Sequence, residues 1–260
     1  MLDALAPFTE LSLGALYGLI LVFVRVSATV ALLPGFGEQS LPSRVRLAAA
    51  VSFTFMVWPL VAADLPPLPD DMTALLPLFL TEAGIGMAFG VTIRMAVMAL
   101  QLTGSIAAQA TSLSQIMGAG ATPDPMPAIG NILIMAGLAL ALAAGLHVRA
   151  VIAMAEMFKI FPLATLPDAG DFAQWGVSRA AGAFALAFTL AAPFVIASFA
   201  YNVALGVINR AMPQLLVAFI GAPAITAAGI LILLLASPLI LSVWVDHLNH
   251  ILVDPFMEPE

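Results

Sequence analysis

Six long apolar stretches follow one another along the 260-residue chain, and few polar residues interrupt them. A helix needs about 20 predominantly apolar residues to cross a bilayer. The pattern therefore predicts six membrane-spanning helices, at residues 11–33, 45–63, 75–100, 129–146, 180–207 and 215–245. Strands of a membrane barrel alternate apolar and polar residues, whereas these runs are continuous. We therefore predict an all-α integral membrane protein.

The connections between the predicted helices carry turn-forming residues. Residues 34–37 (PGFG) end the first helix, and residues 64–71 contain three prolines in a stiff acidic connector. Asp171 and Gln174 have the spacing of a capping box, which predicts the start of the fifth helix. The last run is too long for one untilted crossing, so it must tilt, kink at Pro223 or Pro238, or extend beyond the membrane.

The composition excludes a water-soluble fold. Hydrophobic residues make up 62% of the chain and charged residues 9%, against about 45–50% and about 25% in soluble domains. The net charge of −7 argues against nucleic acid as a partner, since that would need a basic surface. The absence of cysteine excludes disulfides and thiolate metal sites. We find no internal repeat and predict one helical domain over residues 1–260.

Three charged residues lie within the apolar runs: Arg25 in the first, and Glu82 and Arg94 in the third. An ionised side chain at bilayer depth is costly unless it is paired or faces protein or water. Glu82 and Arg94 would lie about 18 Å apart along a helix, too far to pair, so Glu82 could instead meet Arg25. The pair would then be a structural ion pair, or part of a polar lining or subunit contact.

Positive charges do not define an orientation for these six spans. Cytoplasmic loops normally carry an excess of lysine and arginine. Here the two sides share them evenly, with Arg44, Arg46 and Arg210 on one side and Arg149, Lys159 and Arg179 on the other. Either the spans differ from those predicted, or the chain does not insert as an ordinary bundle facing lipid.

The most unusual stretch is residues 107–127, AAQATSLSQIMGAGATPDPMP, because connections between helices are usually only a few residues long. Its prolines bar helix continuation. Non-helical backbone is tolerated at membrane depth only against protein or water, so the stretch is either an exposed loop outside the membrane or a pore-lining segment. The residues of interest in it are Gln109, Thr111, Ser112, Ser114, Gln115, Ile116, Met117, Gly118 and Gly120.

Glycines in the third and fourth runs indicate close helix packing. Gly84, Gly86 and Gly90 follow Glu82, and the spacing of the last two lets another helix approach closely. Gly137, Ala141 and Gly145 repeat this pattern in the fourth run. These positions predict tight packing within the chain or against partner subunits.

Catalysis and metal binding find little support. The chain has no HExxH and no GxSxG motif, and we read His147 as a residue that ends a helix. His247 and His250, with Asp246 and Asp254 nearby, have spacing that could ligate a metal. Polar residues at the wet end of a last helix explain them more simply. We predict no catalytic residue and no cofactor.

Several motifs in order resemble the FliR family of the bacterial flagellar export apparatus. They are Arg25 followed by the PGFG connector and residues 42–46, then EAGIGMAFG from Glu82, QLTGSIAAQ from Gln101, NVALG from Asn202 and NRAMPQ from Asn209. The chain departs from the family where Gly145-Leu-His147 replaces adjacent Gly-His, and where Leu215 and Leu216 replace a polar position after Pro-Gln.

The resemblance implies a non-enzymatic subunit of the flagellar type III export gate, in the basal body and the bacterial inner membrane. Its partners would be FliP-like and FliQ-like subunits, an FlhB-like switch protein and the unfolded flagellar proteins that pass through. A FliP-like part, roughly residues 1–200, would precede a FliQ-like hairpin formed by residues 201–260 with the preceding helix. An injectisome subunit and a small-molecule transporter remain as alternatives.

The same resemblance assigns roles to particular residues. Residues 107–127 would act as a plug that closes the channel. Arg25, Glu82 and Arg94 would fix helix packing or subunit contacts. Arg210, Pro213 and Gln214 would form a tight turn between the last two helices.

Overall fold

Seven α-helices make up most of the part of the chain that the structure describes. The computed structural model describes residues 6–38, 41–69, 71–111, 128–212, 217–253 and 255, and within them it contains no strand. The helices are α1 Ala6–Leu32, α2 Ser43–Val61, α3 Leu75–Ala110, α4 Ala128–Ala143, α5 Leu146–Ile160, α6 Ala169–Ala211 and α7 Val217–Val253. Short 3-10 turns lie at Ala62–Asp64 and Met72–Ala74. The predicted all-α fold is confirmed.

Five of these helices are long and apolar enough to cross a membrane, namely α1, α2, α3, α6 and α7. The pair α4 and α5 passes the same test together but bends by 73° between its two helices. The protein is therefore a helical membrane protein, and its described residues contain five candidate spans, or six if the bent pair counts as one.

The bend at α4 and α5 differs from the single fourth span predicted over residues 129–146. Gly145 has a φ of 84°, a left-handed conformation that favours glycine. Gly145 follows the end of α4 and lies immediately before α5, so the chain changes direction here. His147 is accordingly an exposed residue near the start of α5, so the interpretation that it ends a helix was wrong.

Helix α3 continues ten residues past its predicted end and includes Ala107 to Ala110. The expectation that the irregular stretch begins at residue 107 was therefore wrong. Polar residues in this part are compatible with a helix because their hydroxyls bond back to the preceding turn. Thr103 donates to the Ala99 carbonyl at 2.7 Å, and Ser105 donates to the Gln101 carbonyl at 3.0 Å.

Helix α6 begins at Ala169, and its N-terminal cap is Asp168 instead of Asp171. The Asp168 carboxylate accepts hydrogen bonds from the backbone N–H groups of Gly170 at 2.9 Å and Asp171 at 3.0 Å. These are the second and third helical residues, which an N-cap side chain normally satisfies. The capping-box prediction was thus three residues too late.

The chain divides into two compact units. The first comprises Met1–Met95, Leu142–Arg179 and Leu248–Glu260, and the second comprises Ala96–Ala141 and Ala180–His247. In the second unit the buried Trp244 ring lies against Gly137, and its Nε1 donates to the Ala96 carbonyl at 2.7 Å. The prediction of one export-gate domain over residues 1–260, with FliP-like and FliQ-like parts, stays a prediction.

In the first unit, α1 and α3 approach so closely that two positions on α3 leave no room for a side chain. A Cβ at Gly86 would overlap the Arg25 carbonyl, and one at Gly90 would lie 2.8 Å from the Leu32 Cβ. The Thr29 hydroxyl donates to the Gly86 carbonyl at 3.0 Å. A Cβ at Gly84, by contrast, would meet no atom within 4 Å. Gly86 and Gly90 therefore lie at the α1–α3 contact, whereas the position of Gly84 leaves room for a methyl group among the described residues.

We expect Gly86→Ala to lower stability and Gly84→Ala to leave it unchanged or raise it. Both substitutions gain about 1 kcal/mol of helix propensity. Only at Gly86 must the added methyl group push α1 away, which typically costs about 1–3 kcal/mol. The thermal unfolding midpoints of the two purified variants in one detergent measure the difference. Equal midpoints would contradict the close α1–α3 approach.

Candidate functional site

A fully buried ion pair lies between α1 and α3. Arg25 Nε donates to Glu82 Oε2 at 2.6 Å, and neither side chain has any exposed surface. The close approach permitted by Gly86, one turn after Glu82, places the two helices within reach of this contact. The pairing considered from the sequence is thus present in the structure.

Both members of the pair also bind the turn between α5 and α6. Arg25 Nη1 donates to the Phe161 carbonyl at 2.6 Å, and Nη2 lies 3.5 Å from the Pro162 carbonyl. The Ala164 N–H donates to Glu82 Oε1 at 2.9 Å. A single pair of charges therefore connects α1, α3 and the 161–164 turn.

An aromatic ring completes the surroundings of the guanidinium group. The Arg25 Cζ atom lies 4.3 Å from the centroid of the Phe158 ring, which is close enough for a cation–π interaction. Phe158 belongs to the last turn of α5, immediately before the turn whose carbonyls accept from Arg25. The arginine thus contacts both the aromatic face at the end of this helix and the backbone that follows it.

These contacts explain how charges are tolerated in an apolar interior. Removing an ion from water costs several kcal/mol, which mutual attraction offsets only when the remaining hydrogen-bonding atoms also find partners. Here both Glu82 oxygens accept hydrogen bonds, and all three Arg25 nitrogens face oxygen atoms. The pair is therefore satisfied as a unit, and removal of one member would leave the other charged and unmatched.

The turn that the pair holds has an unfavourable backbone. Ala164 has a φ of 62°, a left-handed conformation that costs a residue other than glycine about 1–2 kcal/mol. In this conformation the N–H of Ala164 donates a hydrogen bond to the Glu82 carboxylate, which offsets part of that cost. The ion pair thus fixes the shape of a connector as well as the contact between two helices.

Arg94 does not belong to this cluster. Its Nη1 lies 3.5 Å from Glu38 Oε1, and both side chains are more than a third exposed. Glu38 follows the PGFG connector after α1, and the sequence analysis overlooked it. Two charge contacts therefore join α1 and its connector to α3, one buried and one exposed.

The proposed plug and turn residues are only partly described. Gln109 is exposed on α3, and Thr111 is buried with its side chain against Gly229 of α7. Arg210 is exposed in the last turn of α6. Residues that lie outside the described ones are Ser112, Ser114, Gln115, Ile116, Met117, Gly118, Gly120, Pro213 and Gln214.

The described residues contain no group of three or more histidine, cysteine or acidic side chains that could hold a metal. Asp254, one of the four residues considered for this purpose, lies outside the described part. The sequence analysis also missed the 161–164 turn and Phe158. The Phe161-Pro162 dipeptide was the available signal, because a residue before proline disfavours helix and marks a helix end.

Because the buried pair acts as a unit, Arg25→Ala alone should cost about 3–5 kcal/mol of unfolding free energy. Adding Glu82→Ala should recover part of that loss, since the double variant leaves no unpaired charge. Denaturant unfolding of the four proteins in mixed micelles measures the coupling.

The exposed pair supplies the matched control. The same cycle with Arg94→Ala and Glu38→Ala should give a coupling below about 1 kcal/mol, as exposed ion pairs do. Additive effects of Arg25→Ala and Glu82→Ala would reject the buried pair.

Known proteins match this chain over the region that contains the ion pair. The family model for bacterial export proteins, family 1, matches residues 16–251. A flagellar biosynthetic protein FliR of Caulobacter vibrioides is 31% identical over 237 residues, covering 91% of this chain and 94% of its own. FliR of Escherichia coli K12 is 29% identical over 84% of this chain and 83% of its own. FliR of Bacillus subtilis is 26% identical over 85% and 86%.

These matches extend over nearly all of the chain and include both α1, with Arg25, and α3, with Glu82. The resemblance inferred from the sequence motifs is thereby confirmed. The chain belongs to the FliR family of bacterial export proteins.

Proposed function

We propose that this chain is a non-enzymatic subunit of the flagellar type III export gate and forms part of the channel for unfolded flagellar proteins. Its place would be the basal body, at the bacterial inner membrane. Family membership supports an export role, and the relatives named above are flagellar. The structural observation that carries the proposal is apolar surface that a bilayer alone does not cover.

Helix α6 presents this surface most clearly. Its large apolar side chains remain exposed from Val177, at 71%, to Val207, at 64%. With a rise of 1.5 Å per residue this stretch is about 45 Å long. At a tilt of 40°, the upper end of the usual range, it would still extend over about 34 Å, against about 30 Å of hydrocarbon. Part of the apolar surface must therefore be covered by protein.

The exposed side chains on α6 include aromatic ones at helical spacing. Phe184, Phe188 and Phe199 are 58%, 61% and 71% exposed. Exposed aromatic side chains of this size are typical of protein contact surfaces. We propose that FliP-like and FliQ-like subunits cover this face in the assembled gate, with an FlhB-like switch protein as a further partner.

The buried charges support a structural role and not a transport site. Arg25 and Glu82 bind each other and the backbone of the 161–164 turn. A substrate or proton site of a transporter would need polar groups open to a cavity. We therefore propose that this pair holds the subunit in the shape that its partners recognise.

Gly206 tests partner packing on α6. A Cβ there would meet nothing within 4 Å in the part of the chain that the structure describes, so we expect Gly206→Leu to leave the isolated protein folded. Lipid would accept the leucine, whereas a closely packed partner helix would not. We expect Gly206→Leu to abolish copurification with FliP-like and FliQ-like proteins, and Gly206→Ala to retain it.

Equal expression and equal unfolding midpoints of the two variants establish that the chain itself is intact. Full assembly by Gly206→Leu would place lipid and not protein on this part of α6. A wild-type chain that purifies as a stable lone monomer would reject the gate proposal.

We further propose that residues 107–127 supply the plug of the channel. The described residues on either side of positions 112–127 are packed. Thr111 is buried against Gly229, and a Cβ on Gly104 of α3 would overlap Gly130 of α4. A segment anchored by packed residues at both ends is suited to occupy one position in a channel.

Deletion of residues 112–118 should make cells permeable to small ions, because the barrier would be lost while both anchors remain. Conductance or dye uptake in cells that carry the variant measures the leak. The deleted chain must still copurify with its partners for the comparison to hold. Unchanged permeability in such an assembled complex would reject the plug.

A further inference from the structure

The first unit contains a cavity that the export role does not explain. It lies between the end of α2, the following 3-10 turn and α5, and its volume is about 520 Å³. Cavities that bind small molecules usually measure about 300–1,000 Å³. The lining residues are Leu60, Val61, Asp64, Ala155, Glu156, Phe158, Lys159, Pro162 and Leu163.

The lining has an apolar part and a charged part. Leu60, Val61, Phe158 and Leu163 form the apolar part, whereas the charged part consists of Asp64, Glu156 and Lys159. Lys159 Nζ donates to Glu156 Oε1 at 2.7 Å. Asp64 is exposed and forms no ion pair with any residue that the structure describes. The cavity thus offers one ammonium group and an excess carboxylate beside an apolar wall.

The length of the α2 span places this charged part at a bilayer boundary. The candidate span Ser43–Asp64 has 22 residues, or about 33 Å of helix, close to the thickness of the hydrocarbon core. Its outward face is apolar, with Phe55, Met56 and Leu60 between 59% and 67% exposed. A bilayer crossed by this span would bring Asp64, its last residue, to the level where lipid headgroups meet acyl chains.

We propose that this cavity binds a phospholipid whose headgroup carries a primary ammonium, such as phosphatidylethanolamine. The ammonium would pair with the Asp64 carboxylate and the phosphate with Lys159. An acyl chain would lie along Leu60, Val61 and Leu163. A zwitterionic headgroup matches both signs of charge, whereas an anionic headgroup would meet the excess carboxylate without compensation.

Such a ligand would connect α2 to α5 beside the buried ion pair. Phe158 lines the cavity and also packs on the Arg25 guanidinium. A ligand that binds only the folded state stabilises it by RT ln(1 + [L]/Kd), so the unfolding midpoint rises with ligand concentration. The proposal does not depend on which partners the gate contains.

Lipid titration of the purified full chain in mixed micelles tests the proposal. Thermal unfolding midpoints with phosphatidylethanolamine, phosphatidylcholine and phosphatidylglycerol of identical acyl chains give apparent affinities. We expect phosphatidylethanolamine to bind about two- to fivefold more tightly than phosphatidylglycerol, the range that one exposed ion pair provides. The trimethylated phosphatidylcholine, which has no N–H donor, should fall between them.

Variants identify the groups responsible. Asp64→Asn should remove the preference for phosphatidylethanolamine, while Asp246→Asn, an equal change of charge on α7, should retain it. Lys159→Gln should weaken the binding of all three lipids, since each carries a phosphate. Equal affinities of wild type for the three lipids, or an unchanged preference in Asp64→Asn, would overturn the proposal.

A photoreactive residue at Leu60 distinguishes lipid from protein as the occupant in intact membranes. Capture of phosphatidylethanolamine supports the proposal. Capture of a partner polypeptide without lipid would overturn it and make the cavity a subunit contact.

Discussion

A charge buried in an apolar interior must find an opposite charge and a partner for each remaining hydrogen-bonding atom. The Arg25–Glu82 pair meets this requirement by binding the backbone of the 161–164 turn. The two residues are 57 positions apart, and Arg25 lies 136 positions from Phe161. Segments distant in the chain are thus held together by one set of contacts. The same contacts bind the N–H of Ala164 and join α1 to α3.

Much of the fold could be predicted because continuous apolar runs leave few alternatives to membrane helices. Polar residues in the last turns of α3 made its end hard to predict. The hydroxyls of Thr103 and Ser105 donate to carbonyls of the preceding turn, so these residues remain in the helix. The bend before α5 depends on the left-handed backbone conformation of Gly145. Glycine permits this conformation but does not require it, so the residue alone does not predict a bend. The N-cap of α6 was misplaced because Asp168 and Asp171 have similar chemistry, and only the backbone geometry selects between them.

The site was predictable to the same limited extent. Two opposite charges in separate apolar runs indicated a pair, because each alone would be costly. The third component consists of the Phe158 ring and the backbone of the 161–164 turn, and it carries no charge that the sequence could reveal. Arg94 likewise looked like a member of the buried group, but its partner Glu38 lies in a connector. Sequence pattern identifies which groups need partners more readily than it identifies backbone partners.

The proposed functions follow from which surfaces this internal framework leaves exposed. Helix α6 carries more apolar surface along its length than a bilayer covers, which favours partner subunits there. Helix α2 has the length of one bilayer crossing, and the cavity at its end combines apolar and charged walls, which favours a lipid. The satisfied ion pair offers no open polar site for a transported solute. Export would therefore use the surfaces between subunits, with the buried charges keeping each surface in place.

Amide hydrogen exchange of residues 161–165 tests most directly whether the buried pair holds the turn. The Ala164 N–H should exchange slowly in the wild-type chain because it is bonded to Glu82. In Glu82→Ala it should exchange about tenfold faster or more, the effect of losing a hydrogen bond to a charged group. The Arg94→Ala chain should match wild type. Unchanged exchange in Glu82→Ala would contradict the dependence of this connector on the ion pair.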